Sequence, residues 1–327
     1  MKTTARIDNA MTLDGAICNQ KKRTSTIALK KLLRYKALYL MLLPGLAYYI
    51  IYRYLPMYGV TLAFKDYNFQ DGILGSPWAT PLFKHFELFI KSPYFGTLIK
   101  NTFIISIYKV IAGVFPPIIL AILLTECRGR KFRTFVQSVS FFPYFLSWVI
   151  IFGIMMALFS QTNGLINRWL VEATGESVPF LTSTKWFRSL LVGSDVWHNT
   201  GFNAVIYVAA INDISLDLYE AAKIDGANRL KSIWYITLPG IAHVVAMLLT
   251  IRIGVILDSS FEQIFVMYNI TVYPVADIID TWVYRTGIQQ LNFSLASAAG
   301  LFKALISTTL ILMTNKVSKK LTGGGIW

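Results

Sequence analysis

LDLYEAAKIDGANRLKSIWYITLP, from Leu216 to Pro239, is the stretch from which the rest of the chain can be ordered. Leu216 to Asp225 has the composition of a short helix. Gly226 then offers free choice of φ, and Asn228 can cap a following turn. Leu230, Ile233 and Trp234 fall at i, i+3, i+4 on one face, while Arg229, Lys231 and Ser232 point elsewhere. Ala221, Ala222 and Ala227 give the unit a small-residue surface, and Pro239 is expected to close it. A helix–glycine–helix of this kind suits docking into a groove of another protein.

On both sides of this unit the sequence turns apolar. Of 327 residues 55% are hydrophobic and only 15% charged, with a mean hydropathy of +0.52. Six stretches reach the roughly 20 apolar residues a membrane span needs, near 38–55, 98–125, 134–159, 190–211, 241–266 and 293–313. Pro44, Pro116, Pro117 and Pro143 lie within them, where a helical bundle can tolerate kinks. The predicted fold is therefore an all-α polytopic membrane protein of six transmembrane helices. Its spanning domain covers 37–316, between an amino-terminal tail 1–36 and a short tail 317–327 that includes the Gly323–Gly325 run. Residues 213–240 form an inner loop.

The formal charge of +14 maps onto this topology. Lys and Arg number nine in 1–36, four in 126–133, three in 213–240 and three after Met313. The alternate loops 56–97, 160–189 and 267–292 hold three, three and one. The positive-inside bias thus places both termini in the cytoplasm, as an even number of spans requires. Because the basic residues alternate with apolar runs, they form no nucleic-acid patch. Tyr48, Tyr49, Tyr52 and Tyr54 make an interfacial belt near the outer end of the first span. The first outer loop, about 42 residues long, is expected to fold onto the outer face.

No GxxxxGK[ST], HExxH, GxSxG or dinucleotide glycine fingerprint occurs. His85, His198 and His243 are far apart, and Cys18 and Cys127 are too few for a disulfide framework. Nothing in the sequence argues for an enzyme or a metal site.

The pattern E-A-A-x-x-x-G, nine residues, I-x-L-P is matched by Glu220, Ala221, Ala222, Gly226, Ile236, Leu238 and Pro239, with Asp225 completing a D-G-A form. It resembles the EAA loop of bacterial ABC importer permeases. Leu42-Leu43-Pro44-Gly45, Tyr54 to Gly59 (YLPMYG), Ala63 to Asn68 (AFKDYN), Phe89 to Phe95 (FIKSPYF) with Asn101-Thr102, and Lys319-Lys320-Leu321 with Ile326-Trp327 are similar to the oligosaccharide and polysaccharide subgroup. That subgroup includes the lipoprotein/polysaccharide permeases, and an importer of an acidic polysaccharide such as alginate is the nearest candidate. The similarity begins near residue 37.

The resemblance implies a type I ABC importer permease in the bacterial cytoplasmic (inner) membrane. It further implies a second permease subunit, two ATPase subunits carrying ATP and Mg, and an extracytoplasmic solute-binding protein. No cofactor is expected on this chain. Glu220 would contact the ATPase and Gly226 would set the angle of the two short helices.

For the substrate path, ionisable groups inside spans are costly and point to function. Lys109, Arg252 and Lys303 are the cations; Asp195, Asp258 and Glu262 are the anions. Asp195, His198, Asn199 and Phe202 share one helix face at i, i+3, i+4, i+7. Trp148 and Trp197 could stack on sugar rings, and Asn199 and Asn203 could bond hydroxyls. Against this, the six charges could simply pair, and three against three gives no preference for an acidic substrate. Ala296, Gly300 and Ala304 read as a close helix contact. A proton-coupled transporter using Asp195, His198 or Glu262 is the alternative, but the first three spans show no inverted copy in the last three. A permease for a non-sugar solute is another.

Overall fold

A computed structural model describes residues 35–255 and 260–322. The predicted tail up to residue 34 with its Cys18, the anion Asp258 and the Gly323–Gly325 run lie outside the described residues. The chain divides into two compact units, one ending at Val60 and one beginning at Thr61.

The first unit is helical from α1 (Lys36–Tyr49) through a π-helical turn at Ile50–Tyr54 into a 3₁₀ segment that begins at Leu55 and runs on to Phe64. The span predicted for 38–55 is thus longer, and Pro44 does not interrupt it. None of its residues from Lys36 to Tyr54 is buried, so apolar side chains face outward all round. That is the pattern of a helix that meets lipid or another chain.

The second unit holds the bundle. It contains α2 (Lys84–Ile90), α3 (Phe95–Glu126), α4 (Arg130–Phe141), α5 (Trp148–Phe159), α6 (Leu165–Thr174) and α7 (Phe187–Asn212). Then follow α8 (Leu216–Ile224), α9 (Arg229–Ser232), α10 (Leu238–Val255), α11 (Phe261–Met267), α12 (Ile279–Tyr284) and α13 (Phe293–Thr322). Among the described residues there is no strand, only an isolated bridge between Lys65 and Trp78. Within loop 56–97 the chain is folded rather than loose from Lys65 to His85. Lys65 donates to the Ile73 and Leu74 carbonyls, and Asp66 receives Lys84 at 2.9 Å with His85 at 3.0 Å. The Lys84 hydrogen bond, with the charges of Lys84 and His85, holds the Asp66 carboxyl below its ordinary range.

The α3 and α7 helices form the central pair. Ala121 and Leu124 of α3 pack with Ala204, Tyr207, Val208 and Ile211 of α7, and Ile241 of α10 closes this core. Nearer the other end, Trp148, Ile151 and Met155 of α5 meet Phe187 and Leu191 of α7 and Ile264 of α11. Phe89, Leu98, Ile279, Trp282 and Ala299 tie α2, α3, α12 and α13 together. Asn101, fully buried on α3, donates to the Tyr273, Pro274 and Asp277 carbonyls and accepts from Arg188.

Three predicted spans differ from their expected form. The one at 134–159 is two helices bent by 107°, Arg130–Phe145 and Trp148–Phe159. Pro143 has no N–H to continue an α-helix, and Ser147 caps the new one by accepting from the Ile150 N–H. Of the span at 241–266, the described residues form α10 up to Val255 and α11 from Phe261, with residues 256–259 outside the described set. The last helix continues beyond Met313 to Thr322, into the segment read as a tail. Among the described residues four helices are long and apolar enough to cross a membrane, five with the bent pair. The span predicted at 190–211 is present as the 26-residue α7, whose Asp195, His198, Asn199 and Asn203 lower its apolarity.

Gly201 sits where α7 meets α4, and a Cβ there would overlap the Ser140 carbonyl and the Phe141 nitrogen. Backbone cannot yield as a flexible side chain can. We expect Gly201→Ala to cost about 1–3 kcal/mol, read as a lowered melting temperature of the purified protein in detergent. Gly153→Ala, where the new methyl meets nothing within 4 Å, should not lower it.

Candidate functional site: a charged cavity and an exposed helical hairpin

The α7 face predicted from the sequence opens onto a cavity of about 450 Å³. Asp195, His198, Asn199, Phe202 and Asn203 line one wall, Tyr144 and Trp148 another, and Gly113 and Arg252 a third. Tyr144 stacks on Phe202 at 4.2 Å between ring centroids, and Trp148 lies 4.7 Å from the His198 ring. The cavity therefore combines flat aromatic surfaces with amide and charged groups. His198 is 3.3 Å from the Leu146 carbonyl and 3.3 Å from Asn199 Oδ1, and Asn199 donates to the Asp195 carbonyl.

Asp195 is held by two cations. Arg252 Nη2 lies 2.8 Å from Oδ2, and Lys109 Nζ lies 3.4 Å from Oδ1. Arg252 also donates to the Gly113 carbonyl at 3.2 Å. Lys109 is buried away from the cavity and bonds Ser260 and Gln263; Gln263 in turn donates to Ser194 and to the Leu191 carbonyl. The sequence reading balanced three cations against three anions. In this cluster the balance is two to one.

The remaining predicted residues lie elsewhere. Trp197, 46% exposed, lines a separate apolar cavity of about 300 Å³ beside Met155 and Leu190, so it does not share the site of Trp148. Its place one residue from His198 turns it some 100° around the helix. Lys303 pairs with Asp280 at 2.7 Å, an anion the sequence reading did not single out because it precedes the last span. Glu262 is exposed on α11. Of the small-residue series, Ala296 packs closely on Gly287, whereas Gly300 faces open space and Ala304 is exposed. The expected continuous contact is thus limited to its first member. Tyr144, Gly113 and the Gln263–Ser194 support were missed, since no local pattern links them to Asp195.

The hairpin forms as its residues dictate. Ser215 caps α8, and Gly226 stands in the left-handed region at φ +76°. Its N–H bonds the Lys223 carbonyl while the Ala227 N–H bonds Ala222, which is a Schellman ending. Asn228 accepts from the Lys231 N–H to cap α9. Tyr219 and Thr237 hydroxyls meet at 3.0 Å and tie α8 to the π-helical turn Ile233–Thr237. Pro239 does not close the unit as expected. It sits at the start of α10, just after the widened turn, and residues Arg229–Gly254 form one continuous span candidate. Glu220, Ala221, Asp225, Gly226 and Pro239 are exposed, while Ala222, Ile236 and Leu238 are half-buried. Leu216, Ile224, Leu230, Trp234 and Tyr235 are exposed large apolar residues on the same hairpin.

Among the described residues no group of three His, Cys, Asp or Glu side chains could hold a metal ion. The family described as binding-protein-dependent transport system inner membrane component matches residues 117–323. The polygalacturonan/rhamnogalacturonan transport system permease protein YteP of Bacillus subtilis (strain 168) is 41% identical, over 97% of this chain and 98% of its own. Protein LplB of the same organism is 38% identical over 96% and 98%. A chain of a bacterial ABC transporter that imports the acidic polysaccharide alginate superposes with a TM-score of 0.83 at 37% identity, covering 90% of this chain and 98% of that one. With a bent, polar-cored bundle, an exposed inter-helical hairpin and these similarities together, the chain belongs to the family of inner membrane components of binding-protein-dependent transport systems.

Proposed function

We propose that this chain is the permease subunit of an ABC importer that carries an oligosaccharide or polysaccharide, of acidic type, across the bacterial cytoplasmic membrane. It would pair with a second permease, with two ATPase subunits that supply ATP and Mg chemistry, and with a solute-binding protein outside. The observation that carries the reading is the pairing of an aromatic and charged cavity on α7 with a hairpin rigidly continuous with α10. The cavity offers stacking surfaces for pyranose rings and amides for hydroxyls. The exposed apolar residues of the hairpin suit the groove of a cytoplasmic partner. ATP-driven closure of the ATPase pair would push α8 and α9, and the bundle would pass between outward-open and inward-open states as a rigid-body switch.

A proton-coupled mechanism fits the site less well. The carboxylate such a mechanism would use, Asp195, is already engaged by Arg252 and Lys109, and the first three spans have no inverted copy in the last three.

Two experiments bear on this reading. In the reconstituted complex, Gly226→Pro, which cannot reach the positive φ, and Glu220→Lys should each cut substrate-stimulated ATP hydrolysis to the basal rate. Normal stimulation in both would contradict the coupling role. With Cys18→Ser, a membrane-impermeant maleimide should label Cys127 in cells only after permeabilisation. Labelling of intact cells would reverse the orientation.

A further inference from the structure

Resting on that reading, we propose that Arg252 is the carboxylate receptor for the substrate and that Lys109 is its buried counter-charge, which lets Arg252 leave Asp195 without stranding the anion. The argument starts from exposure. The Arg252 side chain is 23% exposed and lines the cavity; the Lys109 side chain is 3% exposed and does not. Both reach the same carboxylate, through different oxygens.

An arginine fully matched by one aspartate would have no charge to spare for a ligand. Breaking such a buried pair would also leave Asp195 uncompensated, which is strongly unfavourable. Here Lys109 removes that obstacle. It is fixed from behind by Ser260 and by Gln263, which is itself held by Ser194 and the Leu191 carbonyl. Asp195 thus keeps a cation whichever way Arg252 turns. The guanidinium fork matches a carboxylate with two parallel hydrogen bonds. Gly113 makes the room: a Cβ on it would overlap the Arg252 guanidinium where that side chain now lies across α3. The ligand class is a uronate, a sugar ring with a carboxylate. Its ring would lie against the Trp148 and Tyr144 side of the same cavity.

The test uses the assembled importer in nanodiscs without ATP, measuring equilibrium binding of trigalacturonate and of its methyl ester. Wild type should bind the acid at least tenfold more tightly than the ester. Arg252→Gln should reduce that ratio to about one without weakening the ester. Lys109→Met should also abolish the preference although Arg252 is intact, because Arg252 is then committed to Asp195. Lys109→Met with Asp195→Asn should restore it, since the guanidinium is freed again. That rescue is what a merely structural role for Lys109 would not produce, and it guards against a misfolded single variant. An acid preference that survives Arg252→Gln, or a double variant that stays without one, would overturn the proposal. Substrate-dependent ATP hydrolysis by the wild-type complex is scored separately: its absence for every oligosaccharide would count against the importer reading itself.

Discussion

Three charges from three helices meet inside this bundle, and the arrangement of the remainder follows from satisfying them. A charged side chain at the centre of a bilayer costs about 2.5–3.5 kcal/mol on insertion scales. Lys109 of α3, Asp195 of α7 and Arg252 of α10 offset that cost by pairing, and Gln263 of α11 completes the network. These contacts need α3 and α7 in register and α11 packed against both. The long α3–α7 seam brings those two helices together, and Gly113 leaves room for the Arg252 guanidinium. Removing one partner of such a cluster leaves a buried charge uncompensated, so the group acts as a unit.

The second constraint is mechanical. The hairpin is held at both ends, by the Schellman turn at Gly226 and by the Tyr219–Thr237 contact, and its second half runs without a break into α10. A push on the hairpin is therefore delivered along α10, the helix that carries Arg252 into the cavity. In the proposed importer, coupling and recognition would share one element.

Much of this was legible in the sequence because it depends on local patterns. Twenty-residue apolar runs, the glycine–asparagine break at 226–228 and the i, i+3, i+4, i+7 stripe on α7 each report a periodicity the backbone imposes. What the sequence could not show was non-local. Whether Asp195 faces Lys109, Arg252 or Asp258 depends on helix packing, so equal numbers of cations and anions in the spans hid a local excess of one positive charge. Lys303 was paired by Asp280, which lies outside any span drawn from hydropathy. Pro143 was read as a tolerable kink, yet with Ser147 as a cap it breaks the span by 107°. Pro239 was read as a stop, but the widened turn before it lets the helix continue.

The most direct measurement is a cryo-electron-microscopy structure of the assembled importer with a trigalacturonate bound in the membrane. The account predicts sugar density against Trp148 and Tyr144, a uronate carboxylate in hydrogen-bond contact with the Arg252 guanidinium, and Asp195 retained by Lys109. Sugar bound beside Lys303 and Asp280 instead, with the Arg252–Asp195 pair intact, would contradict it.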